Sequence, residues 1–418
     1  MADLISATNC TILASGYLTL GTTQENDSCR HRPRREGSRE KRLLEWFCRP
    51  QNHVRGGIEV IQVEATLLVT GGAGFIGSNF VRQTLALRPA WRIVNLDALT
   101  YAGNLANFKD FSPSQAERHR FIHGDIRDAA LLERLFTEES FDGVVHFAAE
   151  SHVDRSILGP EAFIETNVVG TFRLLEACLR QWQRRGKLEG LRFLHISTDE
   201  VYGSLGPEGY FTEGSPYDPS SPYAASKAAS DHLVRAYFRT YGLPILITNC
   251  SNNFGPYQFP EKLIPLMILN IVEEQPLPVY GDGRNIRDWL YVIDHCHALL
   301  RVMESGRPGE TYTIGGNSER ENLEVVQMLC DLLDSRLGRK GSRSSRRLMR
   351  FVTDRPGHDR RYATDASKIG TELGWEPRYR FEEALEATVD WYLANMEWVE
   401  SVRSGEYRKW MELQYGIT

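Results

Sequence analysis

From residue 66 onward the chain alternates short apolar, β-branched runs with longer stretches of helical period. Residues 66–70 make the first apolar run, followed by a glycine turn and a helical pattern over 78–87. Further strand-like runs fall at 92–97, 120–124, 143–147 and 191–196, and a helical pattern fills 162–185. Strands alternating with helices at this spacing predict an α/β, Rossmann-type doubly wound parallel sheet with helices on both faces. Another helix starts near Ser221, a suitable N-cap, with Pro222 in its first turn. Beyond residue 251 the pattern is less regular, with proline-rich connections and a basic loop over 336–350, read as a solvated connection. This part is expected to form a smaller, mixed substrate-binding domain, with some segments returning to the sheet. No internal repeat is found.

Residues 1–64 stand apart. They hold three of the seven cysteines and an arginine-rich run over 30–42. The run is weighed as a nucleic-acid or membrane arm and read instead as part of a weakly ordered extension, or as sequence upstream of the natural start. A chain lacking residues 1–60 is therefore expected to stay soluble and active, which a deletion and an activity assay check. A formal net charge of −6 gives no general attraction to nucleic acid or anionic membranes. Cys10, Cys29, Cys48, Cys178, Cys250, Cys296 and Cys330 are odd in number and lack metal-type spacing. Reduced thiols in a cytoplasmic protein are expected, with no disulfide framework and no metal. No stretch of about 18 apolar residues marks a membrane span, and the start Met-Ala-Asp lacks the basic residue of a secretory signal.

The first chemistry lies in Thr70-Gly-Gly-Ala-Gly-Phe-Ile-Gly77, between a predicted strand and a predicted helix. Gly71, Gly74 and Gly77 keep the turn tight and let the backbone approach a pyrophosphate, which the helix N-terminus then holds. Asp97 ends the next strand, placed to accept hydrogen bonds from ribose hydroxyls and to repel a 2′-phosphate, so NAD is favoured over NADP. Residues 65–250 are accordingly read as the NAD-binding domain and 251–418 as mainly substrate-binding.

Tyr223 and Lys227 lie four residues apart on one helix face. A free tyrosine has a pKa of about 10, and an ammonium and a nicotinamide cation nearby would lower it enough for proton abstraction from an alcohol. The strand at 193–196 runs into Ser197-Thr-Asp-Glu-Val-Tyr-Gly203, at the sheet edge where ligands bind. Two adjacent carboxylates beside a hydroxyl exceed the needs of an oxidation. One can remove a carbon-bound proton while the other protonates a leaving hydroxide.

Together with Leu99–Asn104, His146–Arg155, Ser251–Pro265 and Asp354–Tyr362, these motifs resemble the extended short-chain dehydrogenase/reductase superfamily, and within it the dTDP-glucose 4,6-dehydratase family, from residue 66 to the C-terminus. The resemblance implies a hydro-lyase of deoxysugar and dTDP-rhamnose biosynthesis, homodimeric and acting on a nucleotide sugar. It converts dTDP-glucose to the 4-keto-6-deoxy sugar by C4 oxidation, C5/C6 elimination and C6 reduction with resident NAD; a UDP-glucose 4,6-dehydratase is the alternative. It makes Tyr223 the base at the C4 hydroxyl, helped by Lys227 and Thr198, with Glu200 taking the C5 proton and Asp199 protonating the C6 oxygen. By the same resemblance Phe75, Ile76, Asp97, Ala98, Leu99 and Thr100 line the NAD site. So do Asp125, Ile126, Phe147, Ala148, Ala149, Glu150, Ser151, Thr166 and Asn253. The sugar nucleotide is met by Ser151, Thr198, Asn252, Lys262, Leu263, Pro278, Val279, Tyr280, Arg287 and Asn322. It is also met by Asp354, Arg355, Pro356, Gly357, His358 and Tyr415. Arg287 suits a pyrophosphate through forked hydrogen bonds, or else pairs with Asp288. Ala98 stands where the family often has lysine, and the stretch from Tyr202 to Tyr223 is shorter than in some relatives.

Three rivals share parts of this pattern. A sugar-nucleotide 4-epimerase needs only hydride out and back at C4 and has no use for Asp199 and Glu200. A nucleotide-sugar decarboxylase keeps the glutamate but has serine in place of Asp199. A silent NAD-binding regulator has no need of Tyr223, Lys227 and the carboxylates together.

Overall fold

The structure is a computed structural model that describes residues 64–186 and 188–403. The extension at 1–64, all but its last residue, and Tyr415 lie outside the described residues. The first strand, β1 (Ala65–Thr70), is followed by α1 (Phe75–Leu87), β2 (Trp91–Asp97), β3 (His119–His123), α2 (Ala129–Glu138) and β4 (Gly143–His146). After β4 come α3 (Val153–Leu158), α4 (Thr171–Arg184), β5 (Arg192–Thr198), α5 (Pro222–Tyr241) and β6 (Ile245–Cys250). Every strand expected from the apolar runs is present, shifted by one or two residues at its ends.

These six strands and β10 (Thr311–Ile314) form one parallel sheet in the order β10-β6-β5-β4-β1-β2-β3. Parallel strands are buried on both faces, which explains the near-continuous apolar runs. Leu67, Leu68 and Val69 are at most 1% exposed. On one face α2 and α4 close a core of Leu68, Val94, Leu135, Phe141, Leu175, Trp182 and Phe193; each such side chain contributes roughly 1.5–3 kcal/mol on burial. On the other face α1 packs beside a later helix, Val292–Ser305. Strand order reverses between β1 and β4, and a crevice opens at their carboxyl ends.

The segment read as one helix over 162–185 is more elaborate. An α-turn at Glu161–Phe163 passes into a π-helix, Ile164–Gly170, and only then into α4. Apolar periodicity cannot register this, because the widened turn is held by contacts from elsewhere. The Asn167 carbonyl accepts from both Thr171 Oγ1 and Ser230 Oγ at 2.6 Å, and its side chain binds both backbone groups of Glu150 and the hydroxyl of Ser226.

Beyond β6 the chain builds two small sheets. One joins β7 (Asn252–Phe254) in parallel to β9 (Ile286–Tyr291), with β11 (Glu319–Glu321) antiparallel on its other side. The other pairs β8 (Leu277–Tyr280) with β12 (Met349–Val352) in parallel.

Candidate active site

The crevice is a cleft with about 1680 Å³ of empty space, open mouth included. A shallower groove of about 740 Å³ between α2 and α4, lined by Phe136, Phe172 and Arg180, holds none of the predicted catalytic residues.

One wall is the glycine turn. Gly71 has φ +69°, and a Cβ there would lie 2.5 Å from Ala148 N; a Cβ on Gly77 would lie 2.3 Å from Gly71 O. Both glycines are therefore demanded by the protein itself. Gly74 differs, since its Cβ would meet only Gly71 O at 3.4 Å, leaving room on the cleft side. α1 begins at Gly74 without a side-chain cap and without an acidic residue in its first turn. Its free N–H groups and positive dipole end suit an anion. Asp97 anchors this wall, its Oδ2 accepting from Ala73 N and its Oδ1 from Leu99 N, both at 2.8 Å. Burial raises its carboxyl, and those two N–H groups oppose the rise. Asp97 thus shapes the turn as well as facing the cleft. With the uncapped helix end, this wall fits the pyrophosphate and ribose of a dinucleotide.

The second wall is the end of β5. Thr198 caps a short 3₁₀ turn, Asp199–Tyr202, its Oγ1 accepting from Glu200 N at 3.3 Å and donating to Asp199 Oδ1 at 3.3 Å. Asp199 is 2% exposed. Burial, then the charges of Glu200 and Asp288, raise it well above the carboxylate range despite Arg287. Burial raises Glu200 too, but Arg355, Lys262 and Arg287 pull it back. Both carboxyls are thus raised by burial, with the negative charges of Glu200 and Asp288 adding to the rise at Asp199 and positive charges opposing it at Glu200.

α5 supplies the third wall. Ser221 Oγ accepts from Ala224 N at 3.1 Å, and both Tyr223 and Lys227 face the cleft. Lys227 Nζ donates to Ile196 O at 2.8 Å. Burial lowers its pKa to about 8, and Asp231 and Cys250 hold it up. Beneath it, Asp231 Oδ1 lies 3.1 Å from His195 Nε2, and Asp231 Oδ2 accepts from Tyr217 OH at 2.7 Å and Asn249 Nδ2 at 3.2 Å. The lowered tyrosine pKa expected from sequence is not met in the protein alone. Burial, then Glu200 and Cys250, push Tyr223 well up, and a hydrogen bond with Thr198 pulls it down. Removing the phenolate from water and the negative charges around it together outweigh that one hydrogen bond.

Of the residues predicted to meet NAD, all but Leu99 line this cleft; Leu99 contributes its backbone N–H to Asp97. Of the predicted sugar-nucleotide residues, Ser151, Thr198, Asn252 and Lys262 line it, with Lys262 Nζ donating to Ser151 O at 3.1 Å. The other described ones are not among its lining. Arg355 pairs with Asp154 at 2.9 Å, and Tyr280 OH donates to the same carboxylate at 3.2 Å. His358 Nδ1 is 2.6 Å from Asp354 Oδ1. Pro278 and Val279 are buried in β8, Leu263 opens the helix Leu263–Val272, and Asn322 opens the helix Asn322–Leu337. Arg287 does not pair with Asp288. It stacks over Tyr362 at 4.2 Å and donates to Asp359 O, while Asp288 accepts from Gly316 N and Ser318 N. Pro356 and Gly357 belong to the same turn as Arg355.

Sequence reasoning missed Tyr101, Gln258, Phe259 and Glu261 in the cleft, and Asp231 and His195 beneath it. Asp231 had a signal, lying four residues after Lys227 on the helix face that carries the tyrosine. Among the described residues no group of three or more His, Cys, Asp or Glu is arranged to hold a metal.

Comparison with known proteins agrees with this geometry. A family model described as GDP-mannose 4,6 dehydratase matches residues 68–388. The chain is 60% identical over 346 residues to the dTDP-glucose 4,6-dehydratase of Xanthomonas campestris pv. campestris strain B100, covering 82% of this chain and 97% of that one. It is 56% identical over 360 residues to the Shigella flexneri dTDP-glucose 4,6-dehydratase, covering 84% and 98%. The crystal structure of a Streptomyces venezuelae dTDP-glucose 4,6-dehydratase, solved with NAD bound, matches with 50% identity and a TM-score of 0.73, covering 81% of this chain and 99% of that one.

Proposed function

The chain belongs to the nucleotide-sugar dehydratase family, and we propose that it is an NAD-dependent hydro-lyase converting dTDP-glucose to dTDP-4-keto-6-deoxyglucose and water, a step of deoxysugar biosynthesis. The observation that carries this reading is one cleft lined by Thr198, Asp199, Glu200, Tyr223 and Lys227 beside an uncapped glycine turn. NAD, which the glycine turn and Asp97 would hold, would supply hydride acceptance and return and a positive charge in the cleft. The chain's own groups do the proton chemistry. The Tyr223 phenolate removes the C4 hydroxyl proton, its oxyanion supported by Lys227 and the Thr198 hydroxyl. The new 4-ketone acidifies C5, and Glu200 takes that proton. Asp199, held in its acid form by burial beside Glu200, protonates the C6 oxygen as water leaves. Glu200 then returns its proton to C5. Burial of these groups keeps bulk water from the intermediate.

On the same reading residues 65–250 bind NAD and residues 251–418 mainly hold the sugar nucleotide. Lys262, Arg287 and Arg355 gather positive charge near Glu200 for a pyrophosphate. A cytoplasmic enzyme is supported by the free, buried state of Cys178, Cys250, Cys296 and Cys330. A homodimer is supported by large apolar side chains exposed on α4 and α5, Phe172 at 45%, Phe238 at 37% and Tyr241 at 48%. No described helix is long and apolar enough to cross a membrane.

Separate incubations with dTDP-glucose and UDP-glucose test the assignment. The 4-keto-6-deoxy product is expected from dTDP-glucose, and its absence with both substrates overturns the reading.

A further inference from the structure

The reaction above leaves the site unbalanced in protons, though not in electrons. Hydride leaves C4 and comes back at C6, and the C5 proton goes to Glu200 and returns. The C4 hydroxyl proton stays on Tyr223, however, and the proton given to the departing water is missing from Asp199. Each turnover therefore ends with a neutral phenol and an ionised Asp199, the reverse of what the next substrate needs.

We infer that Thr198 carries the proton from Tyr223 back to Asp199 and so resets the site between turnovers, a role that rests on the dehydratase reading. The Tyr223 O–H bond breaks as its proton joins Thr198 Oγ1, while the proton already on Oγ1 passes to Asp199 Oδ1. Phenolate, hydroxyl and carboxylic acid are all restored, with no oxidant, reductant or solvent proton required.

Three observations support this path. Thr198 donates to Asp199 Oδ1 at 3.3 Å, and Thr198, Asp199 and Tyr223 line one cleft, where the Thr198 hydroxyl acts on the phenol. That distance is long, as catalytic hydrogen bonds often are before substrate closes the site. Glu200 N donates to the same oxygen at 3.3 Å, so the hydroxyl is fixed between its two partners. Asp199 Oδ2 is buried without a hydrogen-bond partner among the described residues. One carboxyl oxygen thus serves the relay and leaves the other for the sugar C6 oxygen.

Other routes are less direct. Tyr223 and Thr198 are each 8% exposed and Asp199 is 2% exposed. Lys227 directs its ammonium to Ile196 O and toward His195. The surrounding charges raise the acceptor as well as the donor. Glu200 and Asp288 raise Asp199 against the opposing Arg287, and the Thr198 hydrogen bond lowers Tyr223 against Glu200, Asp199 and Cys250.

The test compares first-turnover and steady-state rates of the NAD-loaded enzyme by rapid quench. Thr198 also supports the phenolate, so Thr198→Val slows both rates. The inference requires that steady state suffer more, raising the ratio of the two rates by about 10²-fold, the lower range for a positioned proton-transfer group. Thr198→Ser keeps the hydroxyl and is expected to retain the wild-type ratio. A parallel fall of both rates in the valine variant, or a serine variant that behaves like valine, overturns the relay. If valine prevents folding, Thr198→Cys, similar in size but a poorer hydrogen-bonding group, is expected to raise the same ratio, and an unchanged ratio there overturns it. Ultraviolet titration adds a readout independent of turnover, with the tyrosinate signal moving to higher pH in Thr198→Val and not in Thr198→Ser. A wild-type chain that forms no product overturns the reaction, and the relay falls with it.

Discussion

Asp199 and Glu200 are chain neighbours with different electrostatic surroundings. The negative charges of Glu200 and Asp288 act on Asp199, whereas the positive charges of Arg355, Lys262 and Arg287 act on Glu200. That difference supports the proposed roles of Asp199 as acid and Glu200 as base. Asp199→Asn and Glu200→Gln are expected to retain slow reduction of bound NAD⁺ by the sugar while dehydration falls about 10²-fold or more. Nucleotide absorbance and product analysis measure the two steps separately, and undiminished dehydration removes the pair from the mechanism. At this scale the sequence supplied the residue types and their order. It did not supply the charges facing them, because Arg287, Asp288 and Arg355 come from segments far along the chain. Lys227 shows the same limit, since its spacing from Tyr223 was legible while its support by Asp231 and His195 needed α5 packed on β5.

At the scale of elements, the glycine turn contains two kinds of glycine. Gly71 is held by left-handed backbone and by contact with β4's continuation, whereas Gly74 is open toward the cleft. Gly71→Ala is expected to lower folding stability by about 1–3 kcal/mol, the usual cost of such strain. Gly74→Ala is expected to leave the thermal midpoint nearly unchanged while reducing copurifying NAD, because its new methyl occupies ligand space. A Gly74→Ala chain with full cofactor content contradicts the placement of the dinucleotide. The π-helix is the element that sequence concealed. Its residues have ordinary helical periodicity, and the widened turn exists because Asn167 is drawn simultaneously to Glu150, Ser226 and Ser230.

For the molecule as a whole, burial of neutral histidines sets the response to acid. Desolvation lowers His195 to about 4 and His295 to about 3, and holds His146 well below its ordinary value. These folded values lie below the ordinary value of about 6.5, so the unfolded chain binds protons first as pH falls. Stability is therefore expected to fall from about pH 6.5 downward, on the order of 1 kcal/mol per histidine by pH 5. Urea midpoints at pH 7 and pH 5 check this, and equal midpoints contradict it. The irregular half of the chain was least legible at this scale. Its short strands pair across long separations, as when Met349–Val352 meets Leu277–Tyr280, and no local pattern encodes such partners.

The sequence by itself determined the parallel sheet, the glycine turn and the residue types gathered in the cleft. Strand burial, glycine placement and helical spacing are local consequences of side-chain chemistry, so they can be read along the chain. Only the tertiary structure decided which charges face each carboxyl, how much room lies beside each glycine, and the hydrogen bond from Thr198 to Asp199. Those outcomes depend on desolvation and on charges brought together from distant segments, which a linear pattern does not contain.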